Sequence, residues 1–160
     1  MSGLVAFRYA IKTTTKYTLQ NRLFCKPSEL TELSRLEIRV GKIIEISKHP
    51  EAESLYVEKV DVAEAEPRTI VSGLVQYQTE AQLLNTEVIV LCNLKPRALK
   101  GITSAGMLLC SSSEDHSKVE PLRPPAGATI GQLISFEGHK SEPAEAGNRY
   151  FIAYKSIKCF

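Results

Sequence analysis

The sequence predicts an all-β domain, a small five-stranded barrel accompanied by one short helix and irregular tails. Apolar and polar residues alternate with a period of two in several short segments, and turn residues separate these segments about every ten positions. Only residues 80–84 have the character of a helix. A chain of 160 residues with 43% hydrophobic and 24% charged residues suffices for one compact domain with a core.

The first predicted strand covers residues 36–47, where the alternation is interrupted only at Lys42 and Ile43. Gly41 lies beside this interruption. Because glycine permits a bulge or a sharp bend, we expect the strand to bend at Gly41, as the first strand of a closed barrel must. His49 and Pro50 then predict a turn, since proline restricts its own φ angle and disfavours a helical conformation in the residue before it.

Four further strands and one helix complete the predicted barrel. We expect the strands at 55–62, 68–74, 87–94 and 104–110, and the helix at 80–84. Pro96 and Gly101 prevent either neighbouring strand from continuing, so residues 95–101 predict a loop. An irregular connection follows and leads to a strand-like segment at 132–136. This pattern is typical of the oligonucleotide/oligosaccharide-binding (OB) barrel.

Charge divides the chain into three parts. Residues 1–28 contain five basic residues and no acidic residue, so 1–33 predicts a basic leader that is either disordered or an organellar targeting segment. Residues 34–138 form the predicted domain, and 139–160 form a C-terminal tail. No apolar run approaches the roughly 18 residues of a spanning helix, so we expect a soluble, non-secreted protein that does not bind membranes.

Motifs for catalysis or metal binding are absent from the sequence. The four cysteines form no C-x-x-C pair and the three histidines have no partner at a metal-site spacing, so we expect reduced thiols and no metal. There is no G-x-S-x-G motif and no phosphate-binding glycine loop. We therefore expect no enzymatic activity and no cofactor, which leaves binding without turnover.

The stretch 88–113 contains no acidic residue, although the net charge of the whole chain is only +2. Its cations are Lys95, Arg97 and Lys100. Such a local positive feature, followed by Ser104 and Met107, offers contacts to phosphates and an apolar surface for a nucleobase. The alternative is an exposed loop whose charges only keep the protein soluble.

Four ordered segments resemble the tRNA-binding domain appended to methionyl- and tyrosyl-tRNA synthetases. They are LEIRVGKI at 36–43, HPEAESLY at 49–56, RTIVSGL at 68–74, and NLKP at 93–96 with GITSAGM at 101–107. Lys26 and Pro27, with SRL at 34–36, most resemble the endothelial monocyte-activating polypeptide region of the aminoacyl-tRNA synthetase complex-interacting multifunctional protein. The resemblance covers about 26–138 and implies an OB barrel that binds tRNA by its shape, near its outer corner, and assists a synthetase.

The resemblance also implies which residues bind tRNA. The first group is Asn93, Lys95, Lys100, Ser104 and Met107, and the second is Arg39, Lys42 and Ser72. Arg97 joins them because of its charge. The expected partners are tRNA and an aminoacyl-tRNA synthetase or the multisynthetase complex.

A homodimer is also expected, since the family's exposed barrel end is covered by a second copy or by a further module. Residues 139–160 retain at most a remnant of that module, at 150–154. The alternative to a dimer is that residues 150–152 fold back as a strand and cover the barrel of the same chain. The expected location is the cytoplasm, with the mitochondrion as the alternative if the leader is a targeting segment. Two other hypotheses stay open, a cytokine-like signalling polypeptide released from a synthetase-complex protein and a truncated chain with an incomplete barrel.

Overall fold

A computed structural model describes residues 32–136 and 141–147, and almost all regular structure in these ranges is β-structure. The strands are β1 (Ile38–His49), β2 (Ala52–Asp61), β3 (Arg68–Ser72), β4 (Glu87–Leu91), β5 (Arg97–Leu99), β6 (Ile102–Ser104), β7 (Met107–Leu108), β8 (Cys110–Ser112) and β9 (Val119–Pro121). The helices are a 3₁₀ turn (Leu33–Arg35) and α1 (Glu80–Leu83). The predicted all-β class is confirmed. Nearly all of the predicted leader, and residues 150–154 of the predicted C-terminal tail, lie outside the described residues.

The central sheet has five antiparallel strands in the order β3-β2-β1-β4-β7. Its two edges are joined by the segment between β6 and β7. The N–H of Ala105 donates to the carbonyl oxygen of Thr69 at 2.8 Å, and the N–H of Val71 donates to the hydroxyl of Ser104 at 3.1 Å. Because these bonds join its two edges, the sheet curves around its core, and β5–β6 and β8–β9 form two separate hairpins.

The core fills the inside of this curved sheet. Because side chains alternate between the faces of a strand, every second residue of β2 is inward and buried from Tyr56 to Val60, and β4 buries Val88 and Val90 in the same way. Leu83 of α1 closes one side. Burying each such aliphatic side chain contributes about 1.5–3 kcal/mol to folding, so the alternation in the sequence accounts for most of the sheet.

The expected bulge at Gly41 is wrong in position. Gly41 pairs regularly with Val88, and the register shift lies between Ile43 and Glu45. A Cβ atom at Gly41 would lie 2.9 Å from side-chain carbons of both Val60 and Val90. Glycine is needed at this position because the core packs directly against the backbone of β1.

Residues 95–110 differ most from the prediction. The expected loop 95–101 contains strand β5, and Lys100 and Gly101 form the tight turn of the β5–β6 hairpin, with φ angles of 49° and 85°. The expected single strand at 104–110 is divided into pieces that belong to β6, β7 and β8. The expected strand at 132–136 is reduced to one bridge between Leu133 and Arg39. No helix in the described ranges has the length and apolar character needed to cross a membrane.

Candidate nucleic-acid interface

A cleft of about 490 Å³ lies where the β5–β6 hairpin meets the beginning of β2 and the end of β3. Its apolar lining comes from Leu55, Val71, Leu94, Leu99 and Met107. Lys95, Arg97 and Ser104 also line it, together with the backbone of Gly73 and Gly106. The structure thus brings four of the predicted site residues together around one cavity.

The charge around this cleft is positive. Lys95 and Arg97 are exposed, and Lys100 is exposed at the turn of the same hairpin. None of the three forms an ion pair with another residue in the described ranges. Because no ion pair of the described residues neutralises them, their charges are available to an anionic ligand.

His49 fixes the hairpin that carries these cations. Its ring is 4% exposed, and Nδ1 accepts a hydrogen bond from the N–H of Glu51 at 3.0 Å. The other nitrogen, Nε2, therefore carries the proton and donates to the carbonyl oxygen of Leu99 at 3.2 Å. The β1–β2 turn and the β5–β6 hairpin are tied together by this one side chain.

Ser104 shapes the floor of the cleft from the end of β6. Its hydroxyl accepts the N–H of Val71 and donates its proton to the carbonyl oxygen of Gly106 at 3.0 Å. A Cβ atom at Gly106 would lie 3.1 Å from the carbonyl oxygen of Leu91, so this backbone packs closely on β4. Because the only proton of the Ser104 hydroxyl is already donated, this residue positions Met107 and has no donor left for a phosphate.

Asn93 does not line the cleft. It is 2% exposed, its Oδ1 accepts the N–H of Glu37, and its Nδ2 donates to the carbonyl oxygens of Arg35 and Ala144, all at 2.9 Å. Asn93 therefore holds the segment that leads into β5, and the segment 141–147, against the domain. A Cβ atom at Gly147 would lie 3.6 Å from Cβ of Lys95, so this segment passes beside the cleft.

Ser72 also faces inward, next to two residues of the cleft. Its hydroxyl donates to Oε1 of Glu58 at 2.7 Å, and Glu58 is fully buried with no partner for Oε2 in the described part of the chain. Burial raises the pKa of Glu58 from 4.5 to about 7, and the hydrogen bond from Ser72 opposes this rise. Ser72 supports the end of β3 but is not exposed to a ligand.

Arg39 and Lys42 lie on β1 and are not brought to the cleft. Arg39 forms an ion pair with Glu37, at 2.6 Å between Nη2 and Oε1. Lys42 is paired in register with Asp61 on β2 and Glu87 on β4, so acidic neighbours flank it on the same face of the sheet. Their charges are partly compensated within the protein.

Arg68 is a structural residue of the site that the sequence analysis missed. Its Nη1 donates to the carbonyl oxygens of Cys92 and Ala105, the latter at 2.9 Å, while Nε and Nη2 bind the carboxylate of Glu64 at 2.8 and 2.6 Å. This hydrogen bonding lowers the pKa of Glu64 and raises that of Arg68. The i, i+4 spacing of the pair is visible in the sequence, but the two carbonyl partners are not.

Other reactive groups in the described residues are bound in local structure. Burial raises the pKa of the Cys92 thiol to about 11, so this thiol is a weak nucleophile. The Ser112 hydroxyl lies 2.7 Å from Nδ1 of His116, and Asp115 accepts hydrogen bonds from Ser113 and Ser117, so these exposed groups bond to one another within one turn. No group of three or more metal-ligating side chains occurs in the described ranges.

Comparison with known proteins assigns this architecture to a family. The model of the putative tRNA-binding domain matches residues 38–133, from the start of β1 to the bridge at Leu133. The chain belongs to the tRNA-binding domain family. The cleft and its cations lie inside the matched range.

Relatives of this tRNA-binding domain include parts of larger proteins. The chain is 54% identical over 119 residues to the cytoplasmic tyrosine–tRNA ligase of Xenopus laevis, covering 74% of this chain and 22% of that protein. It is 46% identical over 125 residues to the aminoacyl tRNA synthase complex-interacting multifunctional protein 1 of Cricetulus griseus, covering 78% and 34%. The chain thus spans between about a fifth and a third of these curated relatives.

A solved structure supports the fold assignment. The C-terminal domain of Plasmodium vivax p43 superposes with a TM-score of 0.63 at 35% identity, covering 71% of this chain and 69% of that domain. The same domain thus occurs within a tRNA ligase and within a synthetase complex-interacting protein, and its fold agrees with the solved p43 domain.

Proposed function

We propose that this tRNA-binding domain binds tRNA through the cleft and the three cations Lys95, Arg97 and Lys100, without catalysing a reaction. The observation that carries the proposal is the combination at one place of uncompensated exposed cations and an apolar cavity of about 490 Å³. Phosphates supply the negative charge that the cations need, and RNA supplies it in a fixed three-dimensional arrangement. Three of the other predicted residues, Asn93, Ser72 and Ser104, support this surface from within.

Recognition rests on tRNA shape and backbone. Every polar atom of the Asn93 amide and the hydroxyl protons of Ser72 and Ser104 are used inside the protein. These buried side chains therefore offer no donor for reading base edges, whereas the exposed cations contact phosphates whatever the sequence. Binding of many tRNAs with similar affinity is the expected result.

The proposed role is to raise the local concentration of tRNA for an aminoacyl-tRNA synthetase in the cytoplasm. Support comes from the relatives, which include cytoplasmic tRNA ligases and a synthetase-complex protein.

A homodimer is a further part of the proposal. Leu133 and Phe136 are 38% and 39% exposed and lie at the end of the matched domain. Sedimentation of the full chain as a monomer at all concentrations would refute the dimer.

A titration of the full chain with total tRNA at several salt concentrations tests the main proposal. Three or four neutralised phosphates give a log–log salt slope of about −2 to −4. The double variant K95A/K100A should flatten this slope by about 1 to 2. The matched control K59A/K118A removes two lysines that do not line the cleft and should leave the slope unchanged.

Two results would contradict the proposal. One is a slope near zero for the unmodified chain. The other is equal affinity for tRNA and for an unstructured RNA strand of the same length.

Incubation with ATP and with aminoacyl-tRNA tests the absence of catalysis separately, and saturable turnover of either compound would refute that part.

A further inference from the structure

The apolar lining of the cleft has no role in binding phosphates. Cations on an exposed hairpin suffice to bind an RNA backbone, yet five aliphatic or thioether side chains line a cavity behind Lys95 and Arg97. The volume of about 490 Å³ lies in the range of small-molecule sites, about 300–1,000 Å³. A flat apolar group of nucleobase size has space to enter.

We infer that the cleft is a base-binding subsite, which takes one unstacked nucleobase of the bound tRNA while Lys95 and Arg97 bind the adjacent phosphates. The inference rests on the proposed tRNA binding and adds to it. A nucleotide joins a flat apolar ring to a negative charge, and the cleft joins an apolar wall to positive charge. An apolar peptide segment lacks this charge unless acidic residues flank it.

The wall chemistry agrees with a base. Met107 has a polarisable thioether that packs well against a ring, and the planar guanidinium of Arg97 can stack on a base while its N–H groups reach a phosphate. None of the lining residues in the described part of the chain is aromatic, so the base lies between aliphatic, sulfur and guanidinium groups. Each of these contacts accepts any of the four bases.

Ser104 gives the subsite no free hydroxyl proton for reading base identity. Among the lining residues of the described ranges, Ser104 alone carries a hydroxyl, and its proton is donated to the carbonyl oxygen of Gly106. Any base that leaves the stack at the correct distance from two phosphates should therefore be accepted. This agrees with recognition of many tRNAs through their common shape, in which unstacked bases occur at loops.

The methionine content of the chain provides a direct test. There are two methionines, Met1 and Met107, so the spectrum of protein labelled with ¹³C at the methionine methyl groups has two signals. Comparison with Met107→Ala identifies the signal in the cleft. Because none of the described residues that line the cleft is aromatic, an upfield shift of the Met107 signal on addition of tRNA is the expected effect of a base ring beside its methyl group.

Addition of total tRNA should shift the Met107 signal upfield, whereas inorganic polyphosphate of similar charge should not. Met107→Ala should lower the tRNA affinity about fivefold to fiftyfold while the salt slope stays unchanged, because the phosphate contacts remain. The control Leu122→Ala removes an exposed leucine that does not line the cleft and should keep the full affinity. Leu99→Ala should behave like Met107→Ala and provides a second test.

Failure of this inference is distinguishable from failure of the proposed function. If tRNA binds with the expected salt slope but the Met107 signal does not shift upfield, the subsite is refuted and tRNA binding stands. If tRNA does not bind, the proposed function itself fails. The base-binding subsite would also be overturned if polyphosphate shifted the Met107 signal upfield as far as tRNA does. The same holds if an acidic peptide that contains leucine shifts this signal and tRNA does not.

Discussion

Replacing Glu58 with glutamine should stabilise the protein at pH 8 and change its stability little at pH 5. The carboxyl group is fully buried on β2, Ser72 donates a hydrogen bond to one oxygen, and the other oxygen has no partner in the described residues. Burial disfavours the charged form and raises the pKa from 4.5 to about 7. Glutamine keeps the shape and the acceptor for Ser72 but cannot ionise.

The direction of this pH effect follows from whether Glu58 binds a proton in the folded and in the unfolded state. Between pH 4.5 and about 7 the folded protein keeps a proton on Glu58 that the unfolded chain has released. The free energy of unfolding therefore falls as the pH rises through this window, and the loss is complete above about pH 7. At about 1.4 kcal/mol for each pH unit of difference, the loss is about 3 kcal/mol. The Glu58→Gln variant does not lose this stability, because glutamine does not ionise.

Urea unfolding of both proteins at several values between pH 5 and pH 8, followed by circular dichroism, measures the effect. Asp115, whose pKa is lowered to about 2 by hydrogen bonds from Ser113 and Ser117, does not titrate in this range. The control Glu53→Gln changes an exposed carboxylate on the same strand and should show no such pH dependence. A difference between the Glu58→Gln variant and the unmodified protein that is the same at pH 5 and pH 8 would refute the reasoning.

Three further predictions concern single positions. Gly41→Ala should lower the free energy of unfolding by about 1–3 kcal/mol in urea titrations, because the new methyl group meets two valine side chains at 2.9 Å, and an unchanged midpoint would contradict this. Asn93→Ala should cost about 1–3 kcal/mol by leaving buried backbone groups unpaired, and should speed protease cleavage within 141–147, as mapped by mass spectrometry. Cys92 should react with iodoacetamide at pH 8 far more slowly than Cys110 in native protein, and peptide mapping that shows equal rates would refute its inert character.

The sequence predicted the parts of the fold that depend on neighbouring residues. Alternation of apolar and polar residues placed β1 to β4 within a few positions of their observed bounds, and the small helix at 80–84 is observed as Glu80–Leu83. The division of 104–110 into separate strands could not be predicted. It depends on the bonds of Ala105 and Ser104 to Thr69 and Val71, more than 30 residues earlier in the chain.

The candidate site also has residues that the sequence identified and residues whose roles it did not predict. Lys95, Arg97 and Lys100 were identified from the sequence, because an absence of acidic residues near three cations is a local property of the chain. The roles of Asn93, Ser72 and Ser104 were not, because an amide or a hydroxyl can bond to a ligand, to water or to distant backbone with equal ease. The sequence separation from Asn93 to its partners is 51 to 58 residues, and only folding selects among those bonds.

The sequence by itself determined the β class and the local positive charge of residues 88–113. Only the tertiary structure decided that the charge lies beside an apolar cleft, that Gly41 is required by core packing, and that Asn93 faces inward. The physical reason is the range of the interactions. Backbone preference and side-chain alternation act over a few residues, whereas a cavity and its buried hydrogen bonds exist only after remote strands have come together.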